Sequence, residues 1–293
     1  MYQQSNPLVS IVIPSWFTRT QHGKYGNHET FWFATKCLTR LLEVTPREMY
    51  ELIIIDNGST ITEEDCTERA RDSVGKDKEE HLSMDFTPDE YWGKADVLIK
   101  NETNLGFAPA CNQGFNKASG KYICCLNNDV LVLEDWLNDI FETFEIISKM
   151  YDEKIIDKKP GVIMPALLHD LRDAVKAISI KKKDVNLNTN REKYGAGAEF
   201  GSLWVAPRQL LLDIAKRRDG CQVFDENFKL GMGEDRWLWQ EVRLEGYETY
   251  RTHRTRVFHQ GNLTIGKVKD RKVYTTKNRE YLAELKKLHG IIT

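Results

Sequence analysis

Four short polar groups in the sequence have the residue types and spacing for chemistry. Asp56-Asn57-Gly58-Ser59 closes an apolar run, where a carboxylate either accepts hydrogen bonds from a ligand or caps the turn through Ser59. Asn127-Asn128-Asp129 closes another. Its single carboxylate is a hard oxygen ligand for Mg²⁺ or Mn²⁺ if other oxygens complete the shell, and otherwise the run is an Asn-rich turn. Glu234-Asp235 follows Gly231-Met232-Gly233 and opens a helical pattern, so these acids either complement the helix dipole or take a proton from a substrate. His259, in VFHQGN, is either a structural histidine or a neutral imidazole ligand, and His253 competes with it.

The elements that must position these groups alternate along the first half of the chain. Leu8 to Pro14 (LVSIVIP), Glu51 to Asp56 (ELIIID), Ala95 to Lys100 (ADVLIK) and Lys121 to Leu126 (KYICCL) read as strands buried on both faces. Helical patterns at Glu29 to Glu43 and Ala108 to Ser119 lie between them, the second stopping at Gly120. Strands separated by helices predict an α/β fold with a mostly parallel, Rossmann-like central sheet, whose ligand site lies at the carboxyl ends of the strands. Pro14-Ser15-Trp16, Asp56-Asn57-Gly58-Ser59, Asn101 to Gly106 and Asn127-Asn128-Asp129 all follow such runs and face one cleft. The charged stretch from about Glu63 to Glu90 is expected on the surface as an insertion. The second half is less regular. Helices are expected at Glu134 to Tyr151, Glu234 to Glu245 and Thr276 to His289, a strand at Gly161 to Pro165, an apolar run at Ser202 to Pro207 and a short strand pair around Tyr247 to His259. The polar stretch Lys181 to Lys193 reads as a loop.

The chain has 293 residues, enough for a buried core without a disulfide or metal staple. No apolar run reaches the roughly 18 residues of a membrane span. There is no signal-peptide pattern, and the six cysteines lack paired metal spacing, which suggests a reducing, cytoplasmic setting. Cys124 and Cys125 are read as core residues. The net charge of −2 hides an asymmetry: residues 62–90 hold eleven acids against four bases, and residues 251–287 hold eleven bases against three acids. The basic end is either a solvated helix face or a surface for a polyanionic partner, including the inner face of a membrane as a peripheral contact. The sequence lacks a Walker phosphate loop, a G-x-G-x-x-G turn after the first strand, an H-E-x-x-H pair and a G-x-S-x-G elbow, which excludes the corresponding nucleotide, zincin and hydrolase chemistries.

VSIVIPS, ELIIIDNGS, NETNLGFAPACNQGFNKASGKYICCLNNDVLVLEDWL and GEDRWLWQEVRLEGY, in that order, resemble glycosyltransferase family 2, the inverting GT-A glycosyltransferases, over roughly residues 8–262. The N-x-G-F, N-x-G and L-N-N-D block is most similar to the rhamnosyltransferase-like branch that acts on bacterial surface polysaccharides. The resemblance implies a GT-A domain over 1–262, with a nucleotide-binding half (1–130) and an acceptor half (131–262), followed by a basic helical extension (263–293). It implies a nucleoside-diphosphate sugar donor, UDP- or dTDP-linked, framed by Pro14, Ser15, Trp16, Asp56, Asn104, Gly106, Asn112, Asn127 and Asn128. Asn127-Asn128-Asp129 stands at the family's D-x-D position, with Asn127 in place of the first acid. Asp129 is then the ligand of a divalent cation (Mn²⁺ or Mg²⁺), and His259 completes its coordination. Asp235 is implied as the catalytic base, with Glu234 orienting substrate or supporting the loop. Of Trp237 and Trp239, one is placed to stack on an acceptor sugar and the other in the core.

The acceptor implied is a hydroxyl of a glycan, a cell-surface polymer or another polyanion, and nucleic acid stays open. Arg254, Arg256, Lys267, Arg271 and Lys272 are candidates to face its phosphates. Two other classes compete: a nucleotidyltransferase, which lacks its triphosphate loop here, and a non-catalytic nucleotide-sugar-binding module of the same fold. For the carboxyl-terminal helix, packing on its own domain is the expectation.

Overall fold

Valine, isoleucine and leucine at successive strand positions require cover on both faces of the sheet, and the structure supplies it. The computed structural model describes residues 7–18, 27–65, 84–167, 194–196, 201–218, 220–229, 233–260 and 271–291. In β1 (Val9–Ser15), Val9, Ile11 and Ile13 face one core and Val12 the other. The same alternation splits β2 (Tyr50–Asn57) into Leu52 and Ile54 against Ile53 and Ile55. In β4 (Tyr122–Leu126), Cys124 and Leu126 oppose Ile123 and Cys125, so both cysteines are core residues as expected. Each such fully buried aliphatic side chain contributes about 1.5–3 kcal/mol.

The first core is roofed by α1 (Asn27–Val44), through Phe31, Ala34, Leu38 and Leu41, and by α4 (Trp136–Asp152), through Trp136, Leu137, Ile140 and Phe144. The second is roofed by α3 (Phe107–Lys117), α5 (Arg208–Ala215) and α6 (Glu234–Leu244). α3 lies so close to the sheet that a Cβ on Gly114 would stand 2.4 Å from Val12 Cγ1. Small residues in the CNQGFNKA stretch thus allow the helix to settle on β1 and β2.

The remaining strands are β3 (Val97–Asn101), β5 (Val130–Leu131), β6 (Lys159–Leu167), β7 (Tyr194–Ala196), β8 (Leu203–Pro207) and β9 (Tyr247–His259). Among the described residues they form one sheet, in the order β3-β2-β1-β4-β8-β6-β9-β5, with β7 paired to β9. β3, β2, β1 and β4 are parallel, as the buried runs predict. β8 then inserts antiparallel between β4 and β6. The expected strand pair at Tyr247 to His259 is instead a single strand of 13 residues. Its register against β6 jumps between Thr252 and Arg256, so His253–Thr255 form an irregularity rather than a reversal. The segment has no Gly, Pro or Asn to turn the chain.

Of the charged segment's described acids, Glu63, Glu64, Asp85, Asp89 and Glu90 are exposed, as expected, and the aromatic pair just past its end is buried. Residues 66–83 lie outside the described residues, but α2 (Pro88–Trp92), opened by a Thr87/Glu90 capping box, buries Tyr91 and Trp92. Phe17, Phe31 and Tyr91 pack edge to face with centroids 5.0–5.7 Å apart. The polar stretch Lys181 to Lys193 also lies outside the described residues. The carboxyl-terminal helix, α7 (Arg271–Leu288), packs on its own domain. Asn278 exchanges hydrogen bonds with the Lys229 backbone, and the Tyr281 hydroxyl donates to Asp225 Oδ2 at 2.9 Å. No helix among the described residues is long and apolar enough to cross a membrane.

Candidate active site

The carboxyl ends of β1 and β2 are tied into one wall. Phe17 N–H donates to Ser59 Oγ at 2.9 Å, and Thr60 N–H donates to the Phe17 carbonyl at 2.8 Å. Asp56, half-buried beside Ser15, receives the Ser59 N–H on Oδ1 at 2.8 Å. The turn-capping reading of this residue therefore holds for one carboxylate oxygen, Oδ1. Pro14 and Trp16 are half-buried in the same wall, whereas Ser15 is buried with its Oγ 3.2 Å from the Tyr91 hydroxyl.

Next to this wall is a network that sequence reasoning missed. Asn57, 4% exposed, donates to Asn104 Oδ1 and the Gly106 carbonyl and accepts from Asn101 Nδ2 and Leu105 N–H. Asn104 Oδ1 also accepts from Gly106 N–H at 2.8 Å, so the carbonyl oxygen of this exposed residue is engaged within the loop. Gly106, at φ +100°, opens α3, and the resulting bend needs glycine. Gly58 has φ +79° and so little space that a Cβ would stand 2.5 Å from Thr103 C. The two loops are thereby fixed against each other. Asn112 is a correction: it is 3% exposed, its carbonyl oxygen accepts Phe224 N–H, and its amide donates to the Phe224 carbonyl and Glu226 Oε1. It clamps α3 to the 223–228 loop and does not face the cleft.

Asn127 and Asn128 follow β4 and are half-buried. The Asn127 N–H donates to the Ser202 carbonyl across the β4–β8 pair at 2.8 Å. Asn127 Oδ1 and Ser202 Oγ are both buried without a partner, a costly state unless a ligand hydroxyl satisfies them. Asp129 is 7% exposed. The short β5 pairs with the end of β9, placing Val130 opposite His259, and Gln260 N–H donates to the Asp129 carbonyl. As a result His259 Nε2 lies 3.1 Å from Asp129 Oδ1, a separation that suits two neighbouring ligands of one cation. Among the described residues no third His, Cys, Asp or Glu joins them, so phosphate or water oxygens would complete a shell. Cys37 lies beneath, its thiol held protonated by burial and by the Asp129 charge. His253 sits in the irregular part of β9, where burial and then Arg256 and Arg251 hold its imidazole neutral, and it does not join Asp129.

Gly233, at φ +114°, opens α6. Glu234 is 3% exposed and its Oε2 has no partner. Burial first, and the neighbouring Asp235 second, push its pKa up to about 8. Asp235 is half-buried, with Oδ1 accepting Arg236 N–H at 2.7 Å. Its Oδ2 occupies the place a side chain at residue 201 would take, since a Cβ on Gly201 would stand 2.5 Å away. Gly201 and Ser202 were not singled out from the sequence, yet they link Asp235 to Asn127 and so bring these two residues to one end of the β4–β8 pair. Neither tryptophan of α6 is open to an acceptor. Trp239 is fully buried against Trp204, and Trp237 is 3% exposed with its ring 5.2 Å from that of His289.

Residues 33–150 match the family model described as glycosyl transferase family 2. That span contains Asp56, Asn104 and Asn127–Asp129 and stops short of Asp235 and His259. The fold is similar to that of S. aureus TarS, with a TM-score of 0.50 and 14% identity over 94% of this chain and 42% of that one. It is also similar to GalNAc-T7 solved with UDP, GalNAc and Mn²⁺, with a TM-score of 0.50 and 15% identity over 88% of this chain and 44% of that one. The chain thus spans less than half the length of either. Comparison with curated proteins finds no match. The fold is that of the GT-A glycosyltransferases, and the resemblance to glycosyl transferase family 2 is matched over residues 33–150.

Proposed function

We propose that the protein is a metal-dependent inverting glycosyltransferase that moves a sugar from a UDP- or dTDP-linked donor to an acceptor hydroxyl. The observation that carries this reading is the Asp129–His259 contact at 3.1 Å, at the same end of the sheet as Asp56 and Asp235. The β1 and β2 loops would hold the nucleoside, with Asp56 Oδ2 as acceptor and Gly106 giving clearance. Asp129 and His259 would hold a divalent cation, which when bound offsets the charge of the diphosphate. GalNAc-T7, solved with UDP, GalNAc and Mn²⁺, supports this pairing of nucleotide and metal. Asp235 accepts the acceptor's proton as its oxygen bonds to the anomeric carbon. The bond to the diphosphate oxygen breaks on the opposite face, and its electron pair leaves with the diphosphate. Asn127 Oδ1 and Ser202 Oγ receive sugar or ribose hydroxyls.

The test is thermal stability against nucleoside diphosphates with and without Mn²⁺. UDP or dTDP at 100 times its Kd should stabilise the protein by about 2.7 kcal/mol, only with the metal. Asp129→Ala should abolish the metal-dependent part. No response to any nucleotide would favour a non-catalytic module.

The acceptor is proposed as a glycan or anionic cell-surface polymer, with nucleic acid as the other polyanion. Arg254 is engaged with Glu142 on α4, and the side chains of Lys267 and Arg271 lie outside the described residues. Exposed Lys272, Lys277, Arg279 and Lys287 on α7 supply the positive field. Raising salt from about 0.05 to 0.5 M should then lower acceptor turnover severalfold. Salt-independent turnover would point to a neutral glycan.

A further inference from the structure

The carboxyl ends of β1, β2 and β4 carry the reaction cleft. The amino ends of β1, β4, β6 and β9, with the carboxyl end of β8, leave a separate cavity of about 490 Å³ against α4. This size falls within the roughly 300–1,000 Å³ of small-molecule sites. The walls are aromatic: Tyr122, Phe141, Phe144, Tyr151 and Tyr247. Tyr122 packs on Phe141 and Phe144 at centroid separations of 4.9 and 5.2 Å, so the floor is continuous. The rim carries two cations, Lys121 and Lys159, and two anions, Glu145 and Asp152, all exposed. Both ammonium groups turn inward, each 5.5 Å from a ring centre, Lys121 over Tyr122 and Lys159 over Tyr151.

This combination selects a ligand class. An anion would face two carboxylates, a cation would face two ammonium groups, and an apolar ligand would strip water from four charges without replacing their hydrogen bonds. A polyhydroxylated ring avoids all three penalties. Its C–H face lies on the aromatic floor, and its hydroxyls accept from the lysines while donating to Glu145 and Asp152. We propose that this cavity is a saccharide-binding subsite that holds part of a glycan away from the reaction cleft. The proposal rests on the transfer reading, which makes a glycan the natural occupant.

Titration calorimetry of the full chain with maltohexaose, cellohexaose and chitohexaose tests it, each with and without UDP and Mn²⁺. At least one saccharide should bind, with an affinity unchanged by UDP–Mn²⁺ and by Asp129→Ala. Tyr151→Ala should weaken it about tenfold, the scale of one lost aromatic contact. Lys159→Glu, on the exposed rim, should weaken it as well and serves if Tyr151→Ala does not fold. The subsite is refuted if none of the three binds, or if both rim and floor variants bind like the wild type. Saccharide silence with a normal UDP response overturns the subsite alone, whereas a silent UDP panel beside intact saccharide binding overturns the transfer reading.

Discussion

Asp235→Asn should lower sugar transfer by about 10²–10⁴-fold while leaving the Mn²⁺-dependent thermal response to UDP or dTDP in place. The substitution keeps the shape that fits against Gly201 and the acceptor atom that receives Arg236 N–H. It removes the capacity to take a proton, so binding and chemistry separate. Single-turnover kinetics beside thermal shifts make the comparison. Near-normal turnover would move the base elsewhere, and loss of nucleotide response would make Asp235 part of the binding wall.

Glu234→Gln should change how stability depends on pH. The wild-type carboxyl is 3% exposed, and its pKa rises to about 8 chiefly through burial and then through Asp235. Between the unfolded value near 4.5 and about 8 the folded state holds a proton that the unfolded state has released. Stability attached to this group is therefore complete below about pH 4.5 and is lost as pH rises through 8. The slope is about 1.4 kcal/mol per pH unit. Denaturant unfolding at pH 5.5 and 8 should show the gap between variant and wild type shifting by about 3 kcal/mol in favour of the variant. Glu241, also raised by burial, to about 7, titrates in both proteins and cancels. A gap independent of pH would mean that Glu234 is ionised in the folded protein.

The parallel half of the sheet was legible because its strands announce themselves as apolar runs ending in polar residues, and β1 to β4 formed where those runs lie. The loops after them were legible for the same reason. Asn112 was misread because an amide that binds a ligand and an amide that binds a backbone look alike in sequence. Only the approach of the 223–228 loop decides that Phe224 is its partner. β9 was misread because the bend at His253–Thr255 is a mismatch with β6, a property of two strands together. Gly201 was overlooked because its role is to leave room for Asp235. The pairing of Asp129 with His259 was reached through family likeness, since nothing in local sequence shows that the two-residue β5 meets the last residues of β9.

That meeting sets an order of events during synthesis. A growing chain emerges at about 5–20 residues per second, with amino-terminal parts structured first. The nucleoside wall is complete once β4 has emerged, but the partner of Asp129 is residue 259. For the intervening 130 residues of synthesis Asp129 is without the His259 contact on which the proposed cation site rests. On the proposed reading, a form that stops before β9 lacks His259 and therefore the metal-dependent response to nucleotide.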